Sequence, residues 1–75
     1  MGRYWIRVYR DPEEPGVWLA EVPAVPGVRS DGDTREEAVR NVQEALEAML
    51  AALKAKGLPV PEPDEEWVEV RVDAA

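Results

Sequence analysis

The chain contains no cysteine and no histidine, and these two absences remove several classes of chemistry. Disulfides are excluded. A chain of 75 residues is short and buries only about 60% of its unfolded surface, so a small domain of this kind commonly needs another source of stability. A zinc site would need carboxylates alone, and Ser-His or Cys-His nucleophilic pairs cannot form. The only serine, Ser30, has no base near it in the sequence. Oligomerisation is therefore the favoured source of additional stability.

The sequence also lacks a long apolar run, and we expect no N-terminal leader. Residues 1–3 lead directly into an alternating segment, and no stretch approaches the ~18 apolar residues that a membrane-spanning helix requires. We therefore expect a cytoplasmic protein without a membrane partner.

Positive charge is scarce. Nine Lys and Arg residues face 16 Asp and Glu residues, which gives a formal net charge of -7. An acidic chain repels phosphate, so direct nucleic-acid binding is disfavoured and a basic partner protein is expected. Simple solubility explains the same acidic surface equally well.

The rest of the sequence is organised around residues 27–57, where an extended segment leads into one long helix at about residues 35–56. Thr34 and Glu37 have the capping-box spacing, which predicts that Thr34 caps the helix and that Glu37 reaches back to the Thr34 amide. Gly57 and the prolines after it end the helix. Its apolar residues cover an arc of roughly 140° and are Ala38, Val39, Val42, Ala45, Leu46, Met49, Leu50 and Leu53.

Four segments have the alternation of half-buried strands. They span residues 3–10, 17–22, 28–30 and 67–72. The pair Pro15-Gly16 predicts a type II turn between the first two strands, and the segment 31–33 is predicted as the loop before the helix. The order β-β-β-α-β predicts one α+β domain over residues 1–75, with the helix on one face of the sheet. A right-handed crossover would place the last strand parallel to the first.

Alternation also divides the strand residues between two faces. The face toward the helix is predicted to hold Tyr4, Ile6, Val8, Trp18, Ala20, Val22, Val68, Val70 and Val72. The open face is predicted to hold Trp5, Tyr9, Val17, Leu19 and Trp67, together with Arg7, Glu21, Glu69 and Arg71. Two tryptophans on an open face indicate an interface with a partner or a second copy. Burial under loops or the tail is one alternative, and base stacking, opposed by the negative charge, is another.

Carboxylates are the remaining candidates for catalysis, through a magnesium site of the nuclease kind. Such a site needs acids that converge from strand interiors, whereas most acids here fall in loops or on the solvent side of the helix. Only Glu21 and Glu69 lie within central strands, and Arg7 and Arg71 are placed to pair with them. We therefore predict a protein that is not an enzyme, with no catalytic residue, metal or cofactor.

Three segments resemble the N-terminal domain of the HicB family of antitoxins: GVWLAEVPAVPGV at residues 16–28, GDTREEA at residues 32–38 and GLPVPEP at residues 57–63. The resemblance implies a partial RNase H-like fold without the nuclease carboxylates. It also implies an antitoxin that masks a small basic, mRNA-cleaving toxin of the HicA kind and forms a homo-oligomer, a dimer or tetramer.

The chain departs from the family pattern at two positions and at its C-terminus. The family often has Asp where Ala24 stands and Cys where Val28 stands, and both positions touch a possible partner surface. Full-length antitoxins carry a C-terminal DNA-binding domain that is not seen here, so direct DNA binding is not expected. A self-associating domain of unknown regulatory role, without a toxin partner, is the alternative function. The predicted partner or oligomer contacts are Trp5, Leu19, Trp67, Asp31 and Asp33.

Overall fold

The computed structural model describes residues 3–61, which form a three-stranded antiparallel sheet with one helix packed across it. Its elements are β1 (Arg7–Arg10), β2 (Trp18–Glu21), β3 (Arg29–Gly32) and α1 (Arg35–Ala55). The strands lie in the order β1-β2-β3, so the predicted meander and α+β class are confirmed. The predicted strand at residues 67–72, with its crossover, lies outside the described residues, and the single domain over residues 1–75 stays a prediction.

The core lies between α1 and one face of the sheet. Its buried residues are Ala20, Val22, Val25, Val28, Ala38, Val42 and Leu46. Half-buried side chains complete it and include Tyr4, Ile6, Val8 and Trp18, as the alternation predicted. Val25 and Val28 come from the loop between β2 and β3, so this loop folds inward and contributes to the core.

The type II turn predicted at Pro15-Gly16 is wrong. The turn of residues 14–17 is closed by a 2.8 Å hydrogen bond from its last N–H to its first carbonyl oxygen. Gly16, however, lacks the positive φ that the third position of a type II turn requires. The turn of residues 25–28 has that signature instead, because Gly27 follows a proline and has a φ of 92°.

The third strand is displaced from its predicted position at residues 28–30. It begins at Arg29 and includes Asp31 and Gly32, which were expected to lie in the loop before the helix. Gly32 has no side chain, and a Cβ atom there would lie 2.6 Å from the backbone nitrogen of Ala38. The strand can therefore continue directly beneath the first turn of α1.

The first two strands are shorter than their alternation indicated. The β1–β2 ladder begins at the pair Arg7–Glu21, whereas alternating residues extend back to residue 3. Beyond Glu21 the chain reaches Pro23, which has no backbone N–H to donate to a ladder.

The N-terminus of α1 is capped much as its sequence predicted. The Glu37 N–H donates to the Thr34 hydroxyl oxygen at 3.1 Å. The carboxylate of Glu37 accepts from the N–H of Asp33, also at 3.1 Å, so the predicted contact to the Thr34 amide is displaced by one residue. Either arrangement satisfies the N–H of Glu37 and one backbone N–H that precedes the helix.

Thr34→Ala is expected to lower the free energy of unfolding by about 1 kcal/mol, because the helix loses its capping acceptor. Urea denaturation followed by far-UV circular dichroism measures the change. Thr34→Ser is the matched control, since it keeps the hydroxyl and should remain close to the parent chain. Equal losses in both variants would contradict a capping role.

The C-terminus of α1 closes with a Schellman motif. Gly57 has a φ of 68°, its N–H donates to the carbonyl of Lys54, and the N–H of Leu58 donates to that of Leu53. The predicted helix end at Gly57 is confirmed. The Tyr4 hydroxyl then donates to the carbonyl of Pro61 at 2.7 Å, which brings the chain after the helix back to the segment before β1.

Candidate functional site

The sheet face turned away from α1 carries two cross-strand rows of side chains. The register places Arg7, Glu21 and Arg29 in one row and Tyr9, Leu19 and Asp31 in the other. Trp5 continues this side, because its neighbours Tyr4 and Ile6 pack into the core. We call the following residues the open face: Trp5, Arg7, Tyr9, Leu19, Glu21, Arg29 and Asp31.

The first row is a chain of ion pairs. A guanidinium nitrogen of Arg7 lies 2.7 Å from one carboxylate oxygen of Glu21, and one of Arg29 lies 3.7 Å from the other. The guanidinium carbon of Arg7 also lies 4.2 Å from the ring centroid of Tyr9. The predicted Arg7–Glu21 pair is confirmed, whereas Glu69 and Arg71 lie outside the described residues. Glu21 is thus held by two cations.

The second row combines apolar and acidic groups. Tyr9 and Leu19 are half-buried, whereas Asp31 beside them is exposed. A concavity of about 540 Å³ opens here, lined by Tyr9, Leu19, Ala20, Arg29, Ser30 and Asp31. A partner's apolar or aromatic side chain could fit against Leu19, with Asp31 available to a neighbouring cation.

Two structural classes of site are missing from residues 3–61. No group of three or more Asp, Glu, His or Cys side chains is arranged to hold a metal ion there. No helix in the same range has both the length and the apolar character needed to cross a membrane.

Comparison with known proteins shows which family the chain belongs to. A sequence model of the UPF0150-like family matches residues 8–61, which is most of the chain. The chain belongs to the UPF0150-like family. The UPF0150 protein Ta0767 of Thermoplasma acidophilum is 32% identical over 68 residues, covering 91% of this chain and 96% of that protein. The UPF0150 protein ssr1765 of Synechocystis is 39% identical over 61 residues, covering 81% and 77%.

A solved structure extends the relationship to antitoxins. The N-terminal domain of Burkholderia pseudomallei antitoxin HicB superposes with a TM-score of 0.72 and 30% identity, over 84% of this chain and 72% of that one. The resemblance to HicB antitoxins drawn from the sequence is therefore confirmed, and so is the fold. This UPF0150-like chain is a HicB-like family member.

The structure brings together some of the predicted contact residues of this UPF0150-like chain. Leu19 and Asp31 face each other across β2 and β3, and Trp5 lies on the same side with 52% of its surface exposed. Asp33 lies apart, in the turn before α1, where its N–H is bonded to Glu37. Trp67 lies outside the described residues. The role of all five as contacts stays a prediction.

Sequence reasoning missed Arg29. A strand predicted at residues 28–30 does not include Asp31, so it does not show that Arg29 and Asp31 share the open face. The signal was present in residues 28–32, where apolar or small residues alternate with charged ones. Continuing the strand to Gly32 would have put both charged residues on the open face.

Proposed function

We propose that this chain is an antitoxin of the HicB kind, which binds a small basic, mRNA-cleaving toxin of the HicA kind and masks its active site. The similarity to the N-terminal domain of antitoxin HicB carries the proposal. The net charge of -7 supports it, since electrostatic complementarity accelerates association with a basic protein. A toxin that cleaves mRNA acts in the cytoplasm, so the chain would act there too.

The open face is the proposed toxin-binding surface. Leu19 offers an apolar contact at its centre, and Asp31 offers a carboxylate to the cations of a basic partner. Trp5 is a large exposed ring of the type that anchors protein interfaces. Asp33 and Trp67 complete the proposed contacts, the former through its exposed position beside α1.

Inhibition in this proposal is stoichiometric binding and not catalysis. Glu21, the acid within a central strand of the described sheet, is already paired with Arg7 and Arg29. A protein that only blocks an active site needs a complementary surface and no reactive group. One chain should therefore inactivate one toxin molecule, and excess toxin should stay active.

The proposal requires that a small basic protein be encoded beside this chain, and that protein is the probe that tests it. Expressed alone, it should arrest growth and, once purified, cleave mRNA. Co-expression with this chain should restore growth, and titration should stop cleavage at an equimolar ratio. Undiminished cleavage in the presence of excess folded chain would reject the antitoxin function and favour the alternative, a self-associating domain without a toxin partner.

A further inference from the structure

Strand β3 is an edge of the described sheet, because the strands lie in the order β1-β2-β3. The Val22 N–H donates to the Val28 carbonyl at 3.1 Å, which sets the phase of the β2–β3 ladder. Hydrogen-bonded and non-hydrogen-bonded pairs alternate in antiparallel sheets. The backbone groups of Ser30 therefore point toward β2, whereas those of Arg29 and Asp31 point outward.

Only one of these outward groups is satisfied within residues 3–61. The Asp31 carbonyl accepts from the side-chain amide of Asn41 at 2.9 Å. The N–H and carbonyl of Arg29 and the N–H of Asp31 point away from β2 by this alternation, and outside the sheet ladder they make no hydrogen bond with another described residue. Such a row of outward backbone groups is a template for pairing with another strand.

The side chains on this edge are self-complementary. Arg29 and Asp31 are both exposed, carry opposite charges and lie two residues apart on the open face. In an antiparallel pair of two copies with a twofold axis at Ser30, each Arg29 lies opposite Asp31 of the other copy. Moving the twofold axis by one residue, to Arg29 or to Asp31, also pairs outward backbone groups. It would place Arg29 opposite Arg29, or Asp31 opposite Asp31. Like charges directly opposite each other are destabilising.

We propose that β3 pairs antiparallel with β3 of a second copy, about a twofold axis at Ser30. Arg29 and Asp31 of the second copy would exchange N–H···O=C bonds, and the symmetric pair would do the same. The interface is isologous, so it closes as a dimer. The Asp31 carbonyl can accept a second hydrogen bond while it keeps that of Asn41, since it has two lone pairs.

The flank of α1 beside this edge leaves room for the second copy. Asn41 marks that flank, because its amide reaches the Asp31 carbonyl. At helical spacing from Asn41, the same flank continues with Ala48, Ala52 and Ala55, and all three are exposed. These side chains are small, so the two helices can approach each other above the joined sheets.

The proposed dimer uses one edge of the open face, at Arg29 and Asp31, and leaves the centre of that face uncovered. Pairing along β3 joins two three-stranded sheets into one continuous sheet, whose two open faces lie on the same side. Leu19 of each copy remains accessible, because it lies on β2 and not at the edge. A toxin can therefore still contact Leu19 in the dimer, while Asp31 is shared between the two proposed interfaces. The dimer does not depend on the antitoxin function.

Two single charge reversals test the pairing, with the full chain measured by analytical ultracentrifugation. In a dimer of the Arg29→Asp variant, the introduced aspartate of each copy lies opposite Asp31 of the other. In a dimer of the Asp31→Arg variant, the introduced arginine of each copy lies opposite Arg29 of the other. We expect each variant to raise the dimer dissociation constant at least about tenfold. An equimolar mixture restores opposite charges at both positions, so it should form a heterodimer about as stable as the parent dimer.

Fold and net charge are controlled separately. Arg29→Asp also loses a contact with Glu21, so far-UV circular dichroism must show that each variant is folded. If Arg29→Asp fails to fold, Asp31→Arg is compared with Asp33→Arg, which makes the same charge change off the strand and should leave the dimer intact. Three results would overturn the proposal. The first is a monomeric parent chain, and the second is an Asp31→Arg variant that dimerises as strongly as Asp33→Arg. The third is an equimolar mixture of the folded Arg29→Asp and Asp31→Arg variants that forms no heterodimer.

Discussion

Leu19→Arg is expected to abolish neutralisation of the toxin, with the affinity of the complex reduced at least about 100-fold, or about 2.7 kcal/mol. Leu19 lies at the centre of the open face, between Tyr9 and Asp31 in the register. The substitution removes an apolar contact and places a cation against a basic partner. Isothermal titration calorimetry with the purified toxin measures the loss, and growth on co-expression shows its consequence.

Gln43→Arg is the matched control for this prediction. It changes the net charge by the same amount, but Gln43 is exposed on α1, on the other side of the molecule from the open face. Its affinity for the toxin should fall only slightly, through the weaker long-range attraction. Equal losses in the two variants would show that net charge alone drives binding, and full affinity in Leu19→Arg would move the interface elsewhere.

Gly32→Ala is expected to lower the free energy of unfolding by about 3 kcal/mol, at the upper end of the usual range for overpacking. A Cβ atom at this position would lie 2.6 Å from the Ala38 nitrogen and 2.9 Å from the Glu37 Cβ. One of these contacts is with helix backbone, so α1 has to move away from β3 to relieve it. For a domain this small the loss is a large fraction of the total stability.

Gly16→Ala provides the comparison. A Cβ atom at Gly16 meets nothing within 4 Å, and this residue has no positive φ. The substitution should leave stability unchanged or raise it by about 0.5 kcal/mol, through the lower entropy of the unfolded chain. Thermal unfolding of the Gly32→Ala and Gly16→Ala variants measures and compares the two changes in stability. Similar losses at both positions would mean that β3 and α1 are not in close contact.

The helix was predictable because its signals are local. Thr34, Glu37 and Gly57 act within a few residues of themselves along the chain, and the apolar stripe depends only on helical periodicity. The observed helix, Arg35–Ala55, ends one residue before the prediction. The displaced Glu37 contact shows the limit of local reasoning, since Asp33 and Thr34 both offer an N–H that the carboxylate can reach.

The strand boundaries and turns were less predictable. Pro15-Gly16 and Pro26-Gly27 have the same residue types, yet only Gly27 takes a positive φ. The second turn lies where the buried Val25 and Val28 must both reach the core, and this requirement comes from packing. In the same way, β3 can continue to Gly32 beneath the first turn of α1 because Gly32 has no Cβ atom, and no short window of sequence reveals that close approach.

The sequence by itself determined the class of the fold, the helix and its caps, the division of the strands between two faces and the HicB-like resemblance. These follow from periodicity, capping chemistry and ordered motifs, all of which are carried along the chain. Only the tertiary structure brought Arg29 beside Glu21 and placed Asp31 opposite Leu19. Register and edge position arise from contacts between residues distant in sequence, so the open face and the edge proposed for pairing became visible only when the strands were brought together.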